Sequence, residues 1–235
     1  MVQKFIRGCP LLEDLFLSPI WHSDSVCVSP APKLKILTID LSSGFSNVDI
    51  IEIVSPSLQQ CTIISVLSGC VIDMAGCYDL KFLDLTDAAI SDEDFHNLIL
   101  KFPLLEKLIL CDCTVEKIAF SSNRLRELEV LDCDSLISID IDIDIVQLNA
   151  PCFFSLVSHS LSKTIIWFYK KMTNRDVECS NHQGIKCWQY YLRDFKIESF
   201  IPFEDQEPLH IDNLMAVLPE LEAGTIRFHL DWCFS

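Results

Sequence analysis

Six copies of one apolar cadence run through the first half of the chain. They read Leu12-x-x-Leu15-x-Leu17, Leu34-x-x-Leu37-x-Ile39, Leu58-x-x-Cys61-x-Ile63, Leu80-x-x-Leu83-x-Leu85, Leu105-x-x-Leu108-x-Leu110 and Leu125-x-x-Leu128-x-Val130, with starts 22, 24, 22, 25 and 20 residues apart. No other feature limits the fold so tightly. A unit this short cannot bury its own apolar face, so each copy must stack on its neighbours and share one continuous core. Within a copy the second Leu and the following aliphatic residue point inward. Successive side chains alternate across a strand, so offsets two, four and six point outward.

The period predicts an α/β fold, a leucine-rich repeat solenoid with a curved parallel sheet on the concave face, helices and irregular arms on the convex face, and a C-terminal cap. The outward set follows from the offsets: Asp14 and Phe16; Ile36, Thr38 and Asp40; Gln60, Thr62 and Ile64; Phe82, Asp84 and Thr86; Lys107, Ile109 and Cys111; Glu127, Glu129 and Leu131. A shorter step at Leu136-x-x-Ile139-x-Ile141 adds Ser138, Asp140 and Asp142, as either a strand extension or an irregular repeat.

The clearest returning arm is a helix over Ser91 to Phe102. Ser91 and Asp94 resemble a capping box, Asp92 and Glu93 suit the positive end of the helix dipole, and Pro103 stops the run. Phe95, Leu98, Ile99 and Phe102 fall on one face. The other arms look shorter, and Val48 to Val54 reads equally as helix or strand. From about Ala150 the cadence fades, which divides the chain into a solenoid over 1–150 and irregular repeats with a cap over 151–235. In that second part Thr173 to Lys186 reads as a polar loop, Asp212 to Leu218 as a helix with Asp212 as N-cap, and Thr225 to Phe234 as an alternating strand. A solenoid end exposes core, so a terminal cap is expected.

Composition narrows the function classes. Eighteen Lys and Arg against 34 Asp and Glu give a formal charge of −16, which repels phosphate backbones and favours a protein partner over nucleic acid. The longest uncharged stretch, Ile53 to Ile72, is broken by Ser55, Pro56, Ser57, Gln59, Gln60, Thr62 and Ser65 and does not read as a membrane span. Twelve cysteines without an export signal at Met1 to Leu17 point to reduced thiols in the cytoplasm or nucleus. Cys113 and Cys133 sit eight residues after the first Leu of their copies, where such repeats satisfy backbone groups at the turn, and Cys61 replaces an inward Leu.

Two clusters suggest metal chemistry and are weighed against plainer readings. Cys179, His182 and Cys187 have ligand-like spacing, but zinc needs a fourth ligand that only Cys152 or His159 folding over could supply, so an incidental loop is preferred. Asp140, Asp142 and Asp144 share one strand face about 7 Å apart, where a straight strand splays oxygens that calcium needs convergent; a solvated acidic face is preferred. The phosphate-loop, dinucleotide, zinc-protease and nucleophile-elbow signatures are absent, so no catalytic residue, cofactor or metal is assigned.

Gly8-Cys-Pro-Leu-Leu-Glu-Asp-Leu15, Phe102-Pro-Leu-Leu-Glu-Lys-Leu108 and Thr225-Ile-Arg-Phe-His-Leu-Asp-Trp232 resemble the repeat portion of plant F-box leucine-rich repeat proteins, and Leu148-Asn-Ala-Pro151 resembles a degraded form of their D-A-P-N-L turn. The likeness covers about 1–150 and 188–235. It implies repeats that hold a substrate protein, joined in that family to an F-box that docks a Skp-type adaptor and a cullin ubiquitin ligase. Nothing here resembles the L-P-x-x-[IL]-L opening of an F-box, which is either lost or upstream; the rival reading is a scaffold or truncated product without a ligase role. The expected partner-binding residues on the concave face are Phe16, Ile36, Phe82, Asp84, Lys107, Ile109, Glu127, Glu129 and Asp140.

Overall fold

The computed structural model describes residues 2–18, 24–42, 48–122, 124–143, 153–157, 166, 169–170, 172–173, 192–200, 209–211 and 225–232. The chain opens with α1 (Val2–Gly8), β1 (Asp14–Leu17), β2 (Ser25–Val28), β3 (Ile36–Asp40), β4 (Ile50–Ile53), β5 (Gln60–Val66), β6 (Val71–Asp73) and β7 (Phe82–Ala88). It continues with α2 (Asp92–Ile99), β8 (Lys107–Cys111), β9 (Lys117–Ser122), β10 (Glu127–Leu131), β11 (Ser138–Ile143) and β12 (Phe153–Val157). Last come β13 (Leu192–Phe200), β14 (Leu209–Ile211) and β15 (Thr225–Trp232).

Every copy of the cadence forms one strand of a seven-stranded parallel sheet ordered β1-β3-β5-β7-β8-β10-β12. The chain alternates between this sheet and a second layer, in which β2, β4 and β6 form one parallel sheet and β9 and β11 another. The result is a solenoid of stacked parallel strands with its core between the layers. Leu37, Ile39, Cys61, Ile63, Leu83, Leu85, Leu108 and Leu110 are fully buried from one side. Val28, Ile51, Ile53 and Ile118 meet them from the other. Each such side chain contributes roughly 1.5–3 kcal/mol on removal from water. Adjacent turns are also tied at strand entry, where the amides of Ile36, Gln60, Phe82, Lys107 and Glu127 donate to carbonyls of the preceding copy.

The second layer corrects the expected arms: among the described residues it is mainly strand. Ser25-Val-Cys-Val28, Ile50-Ile-Glu-Ile53 and Lys117-Ile-Ala-Phe120 are too short to repay helix nucleation, and their β-branched alternation suits a pleated ladder. The ambiguous stretch around Val48 to Val54 resolves the same way, as β4 paired with β2 and β6. The helix expected over Ser91 to Phe102 forms over the shorter span Asp92–Ile99, ending at Leu100 ahead of Pro103, because it has the cap and the apolar face: the Ser91 side chain accepts from the Asp94 amide at 3.2 Å, and Phe95, Leu98 and Ile99, with Phe102 just beyond, are buried. Asp92 ties that helix to the next turn by accepting from the amides of Glu116 at 2.7 Å and Lys117 at 3.1 Å.

The short step at Leu136 is neither an extension nor a member of the main sheet. It is β11, paired in parallel with β9 in the second layer, with Asp140 opposite Ala119. The main sheet meanwhile passes residue 150, because β12 pairs with β10 in register from Phe153 opposite Glu127 to Val157 opposite Leu131. β13, β14 and β15 form an antiparallel sheet, with β15 lying against β12. The helix expected over Asp212 to Leu218, the turn at Leu148 to Pro151, and the loop from 174 onward lie outside the described residues. Among the described residues no helix is long and apolar enough to cross a membrane.

Candidate functional site: the outer face of the seven-stranded sheet

Parallel pairing without register shifts lines the outward residues up in rows across the strands. One row runs Asp14, Ile36, Gln60, Phe82, Lys107, Glu127, and a second runs Phe16, Thr38, Thr62, Asp84, Ile109, Glu129. Neighbouring strands lie about 4.8 Å apart, so a row is a continuous surface more than 20 Å long. The burial pattern agrees with the alternation in every strand from β3 to β10: each inward residue is buried and each outward one is at least partly open.

The structure separates the expected binding residues into two groups. Phe82, Asp84, Lys107, Ile109, Glu127 and Glu129 come together on the adjacent strands β7, β8 and β10. Phe16 on β1 and Ile36 on β3 lie toward the N-terminal end of the sheet, exposed by 63% and 37%. Asp140 belongs to neither group and is corrected: β11 sits in the other layer, so Asp140 does not share this face. The sequence placed it there because its spacing copies the cadence, but a short step of that kind is also how an apolar second-layer strand reads.

At the centre, the Lys107 ammonium donates to Glu127 Oε1 at 2.8 Å and to Glu129 Oε1 at 2.6 Å, and lies 6.0 Å from the centre of the Phe82 ring. Burial alone would lower the Lys107 pKa, but its hydrogen bonds with Glu127 and Glu129 and their charges outweigh that and raise it. Burial pushes the Glu127 carboxyl up, yet hydrogen bonds with Lys107 and Glu129 and the lysine charge hold it below the ordinary value. Asp84 is different. Burial raises its pKa, and neither the Thr86 hydroxyl, which donates to Asp84 Oδ1 at 3.0 Å, nor the charge of Lys107 offsets this.

A feature absent from the sequence reading lies at the C-terminal ends of these strands. Ser65, Asp87, Asp112 and Asp132, each seven residues after the first Leu of its copy, all adopt left-handed backbone with φ between 50° and 61°. Aspartate tolerates that conformation where a β-branched residue would not. The signal was visible as an Asp recurring in Thr86-Asp87, Cys111-Asp112-Cys113 and Leu131-Asp132-Cys133. These turns line the margin of the sheet with carboxylates. Cys111, on the outer face, registers the field: burial foremost, then Asp112, Cys133, Asp132 and Asp84, push its thiol pKa up to about 11.

The expected turn role of Cys113 and Cys133 is met. Cys113 donates its thiol to Leu85 O at 3.2 Å, Cys133 to Leu110 O at 3.7 Å, and the Cys113 amide donates to Cys133 Sγ at 3.4 Å. Cys61 is a fully buried core residue, and burial foremost pushes its thiol far up. Cys179, His182 and Cys187 lie outside the described residues. Among the described residues no group of three or more His, Cys, Asp or Glu could hold a metal ion.

Fold and face together define a class: a parallel-strand solenoid presenting an extended, in-register, mixed apolar and acidic sheet surface. Comparison with known proteins does not narrow it further, since no family model, curated protein or solved structure matches this chain.

Proposed function

We propose that this chain is a protein-binding module of leucine-rich repeat type, and that it serves as the substrate-recognition part of an F-box-type ubiquitin-ligase adaptor in the cytoplasm or nucleus. The observation that carries the binding reading is the outer sheet face, where Phe82 and Ile109 stand beside the Lys107, Glu127 and Glu129 cluster and Phe16 and Ile36 add exposed apolar surface toward the N-terminal end, all on strands held by their ladders. Aromatic and aliphatic anchors among oriented charges are the composition of protein-protein hot spots. Such an extended surface suits recognition of another protein.

The ligase role is drawn from the phrase likeness at Gly8 to Leu15, Phe102 to Leu108 and Thr225 to Trp232. Docking of a Skp-type adaptor would need an F-box, which these residues do not resemble. Two measurements separate the readings. Partners captured from a cell extract by the wild-type chain and by Glu127→Lys/Glu129→Lys are compared by mass spectrometry, with circular dichroism confirming that the variant is folded. Loss of captured proteins in the variant supports the face, whereas an unchanged set removes it. Co-purification of a Skp-type adaptor with the full-length gene product supports the ligase role; a gene product that captures substrates without an adaptor favours a scaffold.

A further inference from the structure

The charge on the docking face is one-sided, and that selects a class of partner. Around the central cluster three carboxylates, Asp84, Glu127 and Glu129, share one lysine, and Lys107 gives two of its three N–H donors to the two glutamates. Ile109 stands between Asp84 and Glu129 in register, and the Phe82 ring lies beside Lys107, so the deficit is set on an apolar floor. The C-terminal margin adds Asp87, Asp112 and Asp132. The opposite margin is mixed: Glu13 pairs with Lys35 at 2.8 Å, and Lys81 lies 3.8 Å from Glu106. A compact cation would not answer this field, because no three ligating groups among the described residues converge. A chain carrying spaced cations would.

We propose that the outer face over β7, β8 and β10, with its acidic margin at Asp87, Asp112 and Asp132, receives an arginine- or lysine-rich segment of a partner protein. The aliphatic stems of those cations cover Phe82 and Ile109 while their heads reach Asp84 and the margin, a geometry in which long basic side chains bury apolar length and keep charge outward. Raised, desolvated Asp84 is the carboxylate with most to gain from an added cation. The proposal rests on the reading of this face as a docking surface.

The test uses three labelled synthetic peptides, of alternating arginine and leucine, glutamate and leucine, and serine and leucine, titrated with the whole chain by fluorescence anisotropy. Because the chain carries a charge of −16, any polycation will be attracted somewhat, so equal charge removal elsewhere is the control. Asp84→Asn/Glu127→Gln/Glu129→Gln removes three carboxylates from the face; Glu52→Gln/Glu93→Gln/Glu116→Gln removes three from the second layer and its approach. The arginine peptide is expected to bind, to weaken about tenfold in the face variant and less than about twofold in the control, and to weaken further as salt rises. Asp84→Asn alone, which keeps the ion pairs intact, is expected to weaken it by about threefold. Equal weakening by both triple variants overturns the proposal. If in addition the serine peptide binds and is lost in Phe82→Ser/Ile109→Ser, the face docks protein but not a basic one; if no peptide responds to any substitution on the face, the docking reading falls as well.

Discussion

Asp84 shows how a single residue on a regular face can be held against its own preference. Its folded pKa is raised, chiefly by burial, so folding favours the protonated acid. The cost is therefore absent below the ordinary aspartate value of 3.8 and present in full above the folded pKa. Asp84→Asn is expected to be more stable than wild type at neutral pH, with the difference vanishing near pH 3; chemical denaturation at the two pH values checks it, and an equal or lower stability at neutral pH would contradict the burial argument. Cys113 makes the opposite case, a polar group whose partner is built in. Removing the thiol in Cys113→Ala takes a donor from Leu85 O and leaves a small void, for a loss of about 1–2 kcal/mol measured by denaturant unfolding. The offset-eight cysteines were legible in the sequence because a turn position recurs in every copy. The raised pKa of Asp84 was not, because burial on an outward position depends on how tall its neighbours Phe82, Thr86 and Lys107 stand.

At the level of elements, length and capping decide which returning arm becomes a helix. Ser91 to Phe102 has a Ser91 cap and three acidic residues in its first turn, and α2 forms within it over Asp92–Ile99. The arms at Ser25, Ile50 and Lys117 have four to six residues of alternating β-branched character, and they form ladders. Ser91→Ala removes the cap oxygen from the Asp94 amide and is expected to cost about 1 kcal/mol. Denaturant unfolding measures the total, and amide exchange at Asp94 and Phe95 shows whether the loss is local to α2. The second cadence, Val26 and Val28, Ile51 and Ile53, Ile118 and Phe120, was present in the sequence but overshadowed by the leucines. Period alone does not distinguish a short buried strand from a short buried helix; the partner strand does.

For the whole molecule the governing facts are a one-dimensional stack and a strong negative charge. Self-repulsion at −16 opposes compaction, most strongly where carboxylates gather along one margin, so screening should help the fold. Raising salt from about 0.01 M to about 0.15 M is expected to raise the melting temperature by roughly 2–4 °C, near 1 kcal/mol for a chain of this length. A fall would mean that the ion pairs at Lys35, Lys81, Lys101 and Lys107 outweigh the repulsion. Because turns contact mainly their neighbours, the stack extends strand by strand, and β15 lies against β12, the last strand of the main sheet among the described residues.

Sequence by itself determined the stacking unit, its parity and its outward rows. A copy of about two dozen residues with leucines at fixed offsets has no other way to bury them. Only the tertiary structure decided what covers the inner face, where Asp140 goes, that the sheet runs on through Phe153 to Val157, and that three carboxylates share one lysine. These depend on which strand finds which neighbour. Hydrogen-bond register and burial are properties of pairs, and a pattern along one chain carries only half of each pair.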